Sequence, residues 1–192
     1  MMSMRITGGK FCGRKIIIPK GKLEIRPAMD RMRESLFSIL GPLNYMSFLD
    51  LFSGSGCIGI EAASRGANPV TLVELDREKK ETLEKNISFL KGENITADII
   101  FANVFSFIKK CSTSFSVVYA DPPFPLENKQ NIIRLISECR TVAENGKFII
   151  HIPTSEVPAW NEKYNNLTLT DKRKYGRNSL LFYTFNSTDN NI

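Results

Sequence analysis

The sequence predicts an α/β protein built on a mostly parallel β-sheet. Three observations carry that expectation. From residue 46 onward, short apolar runs alternate with helical segments, the pattern of βαβ units. A glycine turn, Gly54-x-Gly56-x-x-Gly59, joins the first of those runs to the first of those helices. Past residue 160 the alternation stops, and the two remaining apolar stretches suit a C-terminal antiparallel hairpin that closes the sheet.

The elements follow in chain order. Residues 5–7, the pair Gly8-Gly9 and residues 14–19 predict an N-terminal β-hairpin carrying Lys10, Arg14 and Lys15. Pro27 opens and Gly41-Pro42 closes a helix over residues 28–40. Met32, Leu36, Ile39 and Leu40 give that helix one apolar face. Arg26, Arg31 and Arg33 are expected at its entry and on its polar side. Strands are expected near 47–52, 69–74, 97–101, 115–120 and 147–152, and helices near 57–65, 76–91, 103–110 and 128–140. Residues 166–170 and 179–185 read as the closing pair of strands, joined by 171–178. The organisation expected is a hairpin extension at 1–25, one domain at 26–186 and a frayed tail at 187–192.

The chain has 192 residues, 42% of them hydrophobic and 24% charged, enough for one domain with a sizeable core. No apolar run approaches membrane-spanning length, and the first ten residues lack a signal-peptide stretch, so the cytoplasm is the expected setting. Cys12, Cys57, Cys111 and Cys139 lie far apart and read as reduced, buried thiols. With a single histidine, no metal site is expected, and His151 reads as a packed or surface residue rather than a catalytic one. The charge is uneven. Residues 1–40 hold nine basic and three acidic side chains, a surplus of six that equals the net charge of the whole chain. A surplus gathered this way is the electrostatic footprint of a polyanion partner.

Two motifs carry chemistry. Asp121-Pro122-Pro123-Phe124 follows the apolar run 115–120. The prolines fix two φ angles and remove two N–H donors, so this stretch offers carbonyl acceptors beside an acceptor-only carboxylate. An exocyclic –NH2 has two hydrogens to donate. Asp121 and a proline carbonyl suit both, and Phe124 supplies a surface for the ring that bears the amine. The second motif is the glycine turn, with Glu74 twenty positions after Gly54. The turn alone fits a dinucleotide site as well as an S-adenosylmethionine site. The Asp-Pro-Pro-Phe cluster favours methyl transfer, because hydride transfer has no use for it. Asp50 suits the cationic methionine end of that cofactor.

The residues together resemble the bacterial methyltransferases that modify the N2 amine of a guanine in small-subunit (16S) ribosomal RNA. The likeness runs over Arg5-Ile-x-Gly-Gly-Lys-x-x-Gly-Arg14, Arg26-Pro27, Asp30-Arg31-x-Arg33-Glu34-Ser-Leu-Phe37 and Leu49-Asp50-Leu-Phe52-x-Gly54-Ser55-Gly56. It continues through Gly59-x-Glu61-Ala62, Ser64-Arg65-Gly66-Ala67, Asp121-Pro-Pro-Phe124 and Tyr175-Gly176. The resemblance implies a Rossmann-like class I S-adenosylmethionine-dependent methyltransferase fold with a basic N-terminal β-hairpin. It implies that Asp50, Phe52, Gly54, Ser55 and Gly56 hold S-adenosyl-L-methionine, that Glu74 holds its ribose and that Asn103 meets its adenine. Asp121, Pro122 and Phe124 would be catalytic, and Lys10, Arg14, Lys15, Arg26 and Arg31 would contact RNA. The partner implied is ribosomal RNA, free or within a small-subunit particle, met by a monomer. Ala28-Met29 and Arg177 depart from the family pattern. An adenine-N6 DNA methyltransferase, a glutamine methyltransferase acting on protein and a non-catalytic RNA-binding module remain alternatives.

Overall fold

The computed structural model describes residues 3–19 and 27–186, and the side chains within them except at 27–29. Arg26 and the expected tail at 187–192 lie outside the described residues. The chain divides into two compact units, Met1–Phe101 and Ala102–Ile192.

In the first unit, β1 (Ser3–Arg5) and β2 (Lys15–Ile17) pair antiparallel with Arg5 opposite Lys15; a hairpin forms as the sequence predicts, but its first strand lies at 3–5 rather than 5–7. The helix α1 (Pro27–Leu40) follows and ends at Gly41, whose φ of 72° lets its N–H turn back to Phe37 O at 3.0 Å. Met32 and Leu36 are buried as the periodicity predicts, while Ile39 and Leu40 are only half-buried and Phe37 joins the core. Three parallel strands then lie in the order β5 (Ala97–Phe101), β4 (Val70–Glu74), β3 (Phe48–Leu51). Every residue of β3 and β4 is buried, as in a parallel sheet covered on both faces. The register sets Leu51 beside Val73 and Glu74 beside Phe101, so these strands end at one edge.

Between them run α2 (Cys57–Ser64) and α3 (Lys80–Ile87). The single helix expected over 76–91 is instead a short α3 between two 3-10 turns, Arg77–Lys79 and Ser88–Glu93. Asp76 starts the first turn by accepting the Glu78 N–H at 2.9 Å, and Asn94, at φ 57°, ends the second. These side-chain and left-handed stops decide the boundaries.

The second unit holds α4 (Val104–Lys110), β6 (Phe115–Ala120), α5 (Gln130–Glu138) and β7 (Val142–Pro153), then β8 (Lys163–Tyr164), β9 (Leu167–Tyr175) and β10 (Asn178–Phe185). Its strand order is β6-β7-β10-β9-β8, with β6 and β7 parallel and the rest antiparallel. The expected C-terminal hairpin is present but longer. Residues 171–175 continue β9 instead of forming a loop, and only Gly176-Arg177 turns the chain. Cross-strand bonding to β10 outweighs the poor strand preference of the charged run 171–174.

All four cysteines are free. Only Cys57 is buried, where burial pushes its thiol up to about 12 despite the pull of Arg33; Cys12 is exposed and Cys111 and Cys139 are half-buried, so the expectation of buried thiols holds for one. Among the described residues no helix is long and apolar enough to cross a membrane.

Candidate functional site

The turn after β3 is one candidate binding region. Phe52, Gly54 and Gly56 all sit at positive φ (63°, 58° and 75°), and Gly56 caps α2 in that left-handed conformation. A side chain other than glycine is strained there, so Phe52 marks a backbone shape held by its surroundings. Those surroundings are two buried carboxylates. Asp50, 1% exposed, accepts the Gly59 N–H through Oδ2 at 3.0 Å. Glu74 accepts the Gly54 N–H through Oε2 at 2.8 Å, takes Leu75 and Asp76 N–H on Oε1 at 2.9 Å each, and pairs with Lys79 Nζ at 3.1 Å. In this structure both acids therefore hold the shape of the turn.

Two features of the turn bear on a ligand. A Cβ added at Gly54 would meet only Phe52 O, at 3.9 Å, so space lies open beside it. Among the described residues Ser53 Oγ is buried with no hydrogen-bond partner, an arrangement that costs free energy unless something else bonds to it. Leu75, beside Glu74, is 64% exposed. An adenosine-bearing ligand fits this chemistry: an open glycine wall, an orphan hydroxyl, an apolar side chain and a carboxylate at the ends of β3 and β4, joined by the Gly54–Glu74 bond. Asn86 supports it from behind. Its amide donates to Ser55 O at 2.9 Å and to Ile17 O at 2.8 Å while its oxygen accepts Ile17 N–H. Reading the sequence missed Asn86, although it follows Leu83 on the buried face of α3, where a polar residue needs a reason.

A second candidate region belongs to the other unit, at the C-terminal ends of β6 and β7. Their parallel register pairs Ala120 with Ile150, which brings the next residues, Asp121 and His151, side by side. Asp121 Oδ1 lies 2.8 Å from His151 Nδ1; the histidine side chain is 4% exposed and the aspartate 33%. Burial alone would lower the His151 pKa. The charge of Asp121, its hydrogen bond and a weaker one from Asn178 outweigh burial and hold the pKa above 6.5. Phe124 is 54% exposed and meets the His151 ring edge-on, with centroids 6.0 Å apart. Behind it, the buried Lys129 donates to Phe124 O at 2.9 Å and pairs with Glu156 at 2.8 Å. Pro123 O accepts the Leu126 N–H at 2.9 Å. The expected packing of His151 is thus found, but its bond to Asp121 and the Lys129 strap were not foreseen. Asn103 caps α4, accepting Phe105 and Ser106 N–H at 3.0 and 3.2 Å.

The basic residues divide. Lys15 and Arg31 are exposed. Lys10 reaches Glu93 at 2.6 Å, and the Arg14 guanidinium lies 3.6 Å from the centre of the Phe89 ring. Arg33 does not stand on the polar side of α1 as expected. It is 2% exposed, with Nε 2.7 Å from Oε2 of the fully buried Glu61 and with NH2 donating to Arg5 O at 2.6 Å and to Asp30 at 3.1 Å. Arg65 pairs with the other Glu61 oxygen at 2.9 Å, and Thr7 also donates there. The buried carboxylate of α2 draws the guanidinium inward, because an unpaired charge would cost more than Arg33 loses by leaving water. This cluster anchors the hairpin loop. Lys10 N–H bonds to Ser64 O at 2.7 Å and Phe11 N–H to Ser64 Oγ at 2.9 Å, with Gly9 at φ 78° pressed on the Ser64 carbonyl. The tip of the β9–β10 hairpin adds cations that the charge count hid. Lys172, Arg173, Lys174 and Arg177 are exposed, and Asn178 pairs with Pro153, two residues past His151.

Comparison with known proteins adds the following. The family described as conserved hypothetical protein 95 matches residues 4–184. Ribosomal RNA small subunit methyltransferase D of Escherichia coli K12 is 39% identical over 136 residues, 70% of this chain and 67% of that protein. The protein of the same name from Haemophilus influenzae is 35% identical over 156 residues, 80% of this chain and 79% of that one. The solved structure of yhhF from Escherichia coli superposes with a TM-score of 0.83 at 31% identity, covering 97% of this chain and all of that one.

Proposed function

The chain belongs to the conserved hypothetical protein 95 family and has the class I methyltransferase fold, and on that premise we propose that it methylates the exocyclic N2 amine of a guanine in small-subunit ribosomal RNA. The observation that carries the reading is the ledge at the end of β6. It presents a partly exposed carboxylate and a half-exposed phenyl ring on a backbone stiffened by two prolines. The cofactor is S-adenosyl-L-methionine, which supplies an electrophilic methyl group on a sulfonium. Gly54, Gly56 and Phe52 shape the backbone that would hold it, Ser53 and Ser55 line the turn, and Leu75 lies beside Glu74. Asp50 and Glu74 keep the turn in that shape and offer the negative charge that suits a sulfonium and a ribose. Asn103 would meet the adenine.

The chain's own part in the chemistry is to position and to accept. A guanine taken out of its stack lies on Phe124, at an unstacking cost of a few kcal/mol. Asp121 and the Pro122 carbonyl accept the two N2 hydrogens, which aims the nitrogen lone pair and raises its electron density. Asp121 also stabilises the positive charge that develops on nitrogen. RNA is met through the basic residues Lys10, Arg14, Lys15, Arg26 and Arg31 of the N-terminal part, and by Lys174 and Arg177 at the hairpin tip. Residues 26–186 then act as the methyltransferase domain, in the cytoplasm, on free RNA or on a small-subunit particle.

The test is methyl transfer from tritiated cofactor to naked 16S RNA, small-subunit particles, DNA and protein, with the labelled nucleoside identified by digestion. Label in N2-methylguanosine, and a fall of about a hundredfold or more in Asp121→Ala with cofactor affinity kept, is the expected result. Label confined to DNA or protein, or a near-normal Asp121→Ala rate, overturns it.

A further inference from the structure

We propose that His151 is a positioning residue that grips one oxygen of the Asp121 carboxylate, so that the other oxygen is aimed at the substrate amine. This rests on the reading of Asp121 as the amine acceptor. The geometry is local and specific. His151 is the only histidine in the chain, and its Nδ1 lies 2.8 Å from Asp121 Oδ1. The ring is clamped from one side by Phe124 and built into β7, whose partner β10 places Leu180 opposite it. Nε2 is buried, and Asn178 is the polar side chain that acts on the ring besides Asp121. A ring sealed at its far nitrogen cannot carry a proton through to solvent. It can only hold, by its near nitrogen, a carboxylate that itself remains one-third exposed.

The proton balance follows from that arrangement. As the N–C bond forms and the sulfonium C–S bond breaks, the amine nitrogen becomes cationic and must release one proton. Asp121 Oδ2 takes it, Oδ1 stays bonded to Nδ1–H, and Asp121 then returns the proton to water. The charge on the ring decides how well Asp121 can do this. A neutral ring donates one hydrogen bond and leaves the carboxylate a full anion. A protonated ring neutralises that anion and weakens it as an acceptor.

Among the described residues, these groups act on or near His151. Asp121 stands on β6, Asn178 on β10 and Phe124 on the loop, with the mutually neutralising Lys129–Glu156 pair behind Phe124. Lys174 and Arg177 lie at the hairpin tip. Asp121 dominates, so the ring should titrate above 6.5, and the transfer rate should rise as pH rises through that value.

Two measurements decide the matter. The first is single-turnover methylation of 16S RNA between about pH 5.5 and 8.5 by the wild type, His151→Leu and His151→Asn. His151→Leu should lose about tenfold or more in rate, with affinity for S-adenosylhomocysteine unchanged. His151→Asn, which keeps a neutral donor near Nδ1, should recover most of that loss and show no acid limb. The second is NMR of the single imidazole in the full-length protein. Its pKa should stand above 6.5 and fall by about one unit or more in Asp121→Asn. An unaltered rate and pH profile in His151→Leu, or an imidazole pKa indifferent to Asp121→Asn, overturns the proposal. If the wild type labels no RNA at all, the proposed function fails, and the imidazole titration still decides whether the pair exists.

Discussion

Replacing Arg33 by Met tests whether that guanidinium is part of the interior or part of an RNA contact. The side chain is 2% exposed and its partner Glu61 is fully buried. Removing one member of a buried ion pair costs about 3–5 kcal/mol, because the remaining charge stays out of water. Here Arg65 still pairs with the other Glu61 oxygen at 2.9 Å, which argues for the low end, about 3 kcal/mol. The bonds to Arg5 O and to the half-exposed Asp30 lie within that figure rather than on top of it. With a urea slope of about 2 kcal/mol/M, the midpoint followed by circular dichroism should fall by about 1.5 M. Glu61→Gln should cost a comparable amount, and the double variant less than the two together, because they share one interaction. The salt dependence of RNA binding by folded Arg33→Met should match the wild type. A midpoint shift below about 0.5 M together with a flattened salt slope would refute the reasoning and return Arg33 to the surface.

Three further outcomes are expected. Gly9→Ala would drive a methyl group into the Ser64 carbonyl at a left-handed position, so it should cost about 2–4 kcal/mol by strain and by breaking the loop's hydrogen bonds; a urea midpoint like the wild type's would show the hairpin loop to be undocked in solution. Arg14→Gln with Lys15→Gln, or Lys174→Gln with Arg177→Gln, should weaken RNA binding and reduce its salt slope by about one unit for each phosphate no longer neutralised, read by filter binding across salt concentrations; slopes that stay put would remove that face from the interface. The folded pKa of His151 lies above its unfolded value of 6.5, so the Asp121 pair contributes stability that is full below 6.5 and is lost as pH rises through the folded value. The gap in urea midpoint between the wild type and His151→Asn should therefore narrow toward alkaline pH, and a gap that widens contradicts the pairing.

The parts of this protein that a linear reading recovers are those whose cause is local. The buried runs at 48–51, 70–74 and 115–120 announce strands because nearly every residue in them is packed. Gly54, Gly56 and Asp121-Pro122-Pro123 announce their turns because few other residues tolerate those backbones. What escaped depended on partners remote in sequence. Nothing around Arg33 says that a buried glutamate waits 28 positions later to draw it inward. Residues 171–175 look like a charged loop until β10 supplies the hydrogen bonds that extend them. His151 is an ordinary residue in an apolar run, and only the register of β6 against β7 sets it beside Asp121. Nothing beside Lys129 in the chain says that it crosses back beneath Phe124. Asn86 alone left a trace in the periodicity, as a polar residue on the apolar stripe of α3.

That lysine has a thermodynamic consequence. The segment after β6 has no regular secondary structure, and a segment of that kind left loose in the free protein would lose about 1–2 kcal/mol of chain entropy per residue when a ligand ordered it. Here two prolines and an ammonium tied to Phe124 O and Glu156 take that loss during folding instead. An arriving base would meet furniture already arranged. Its contacts would appear as net affinity, and Lys129→Ala should surrender that advantage as a larger entropic penalty in calorimetry of RNA binding, with the direct contacts untouched.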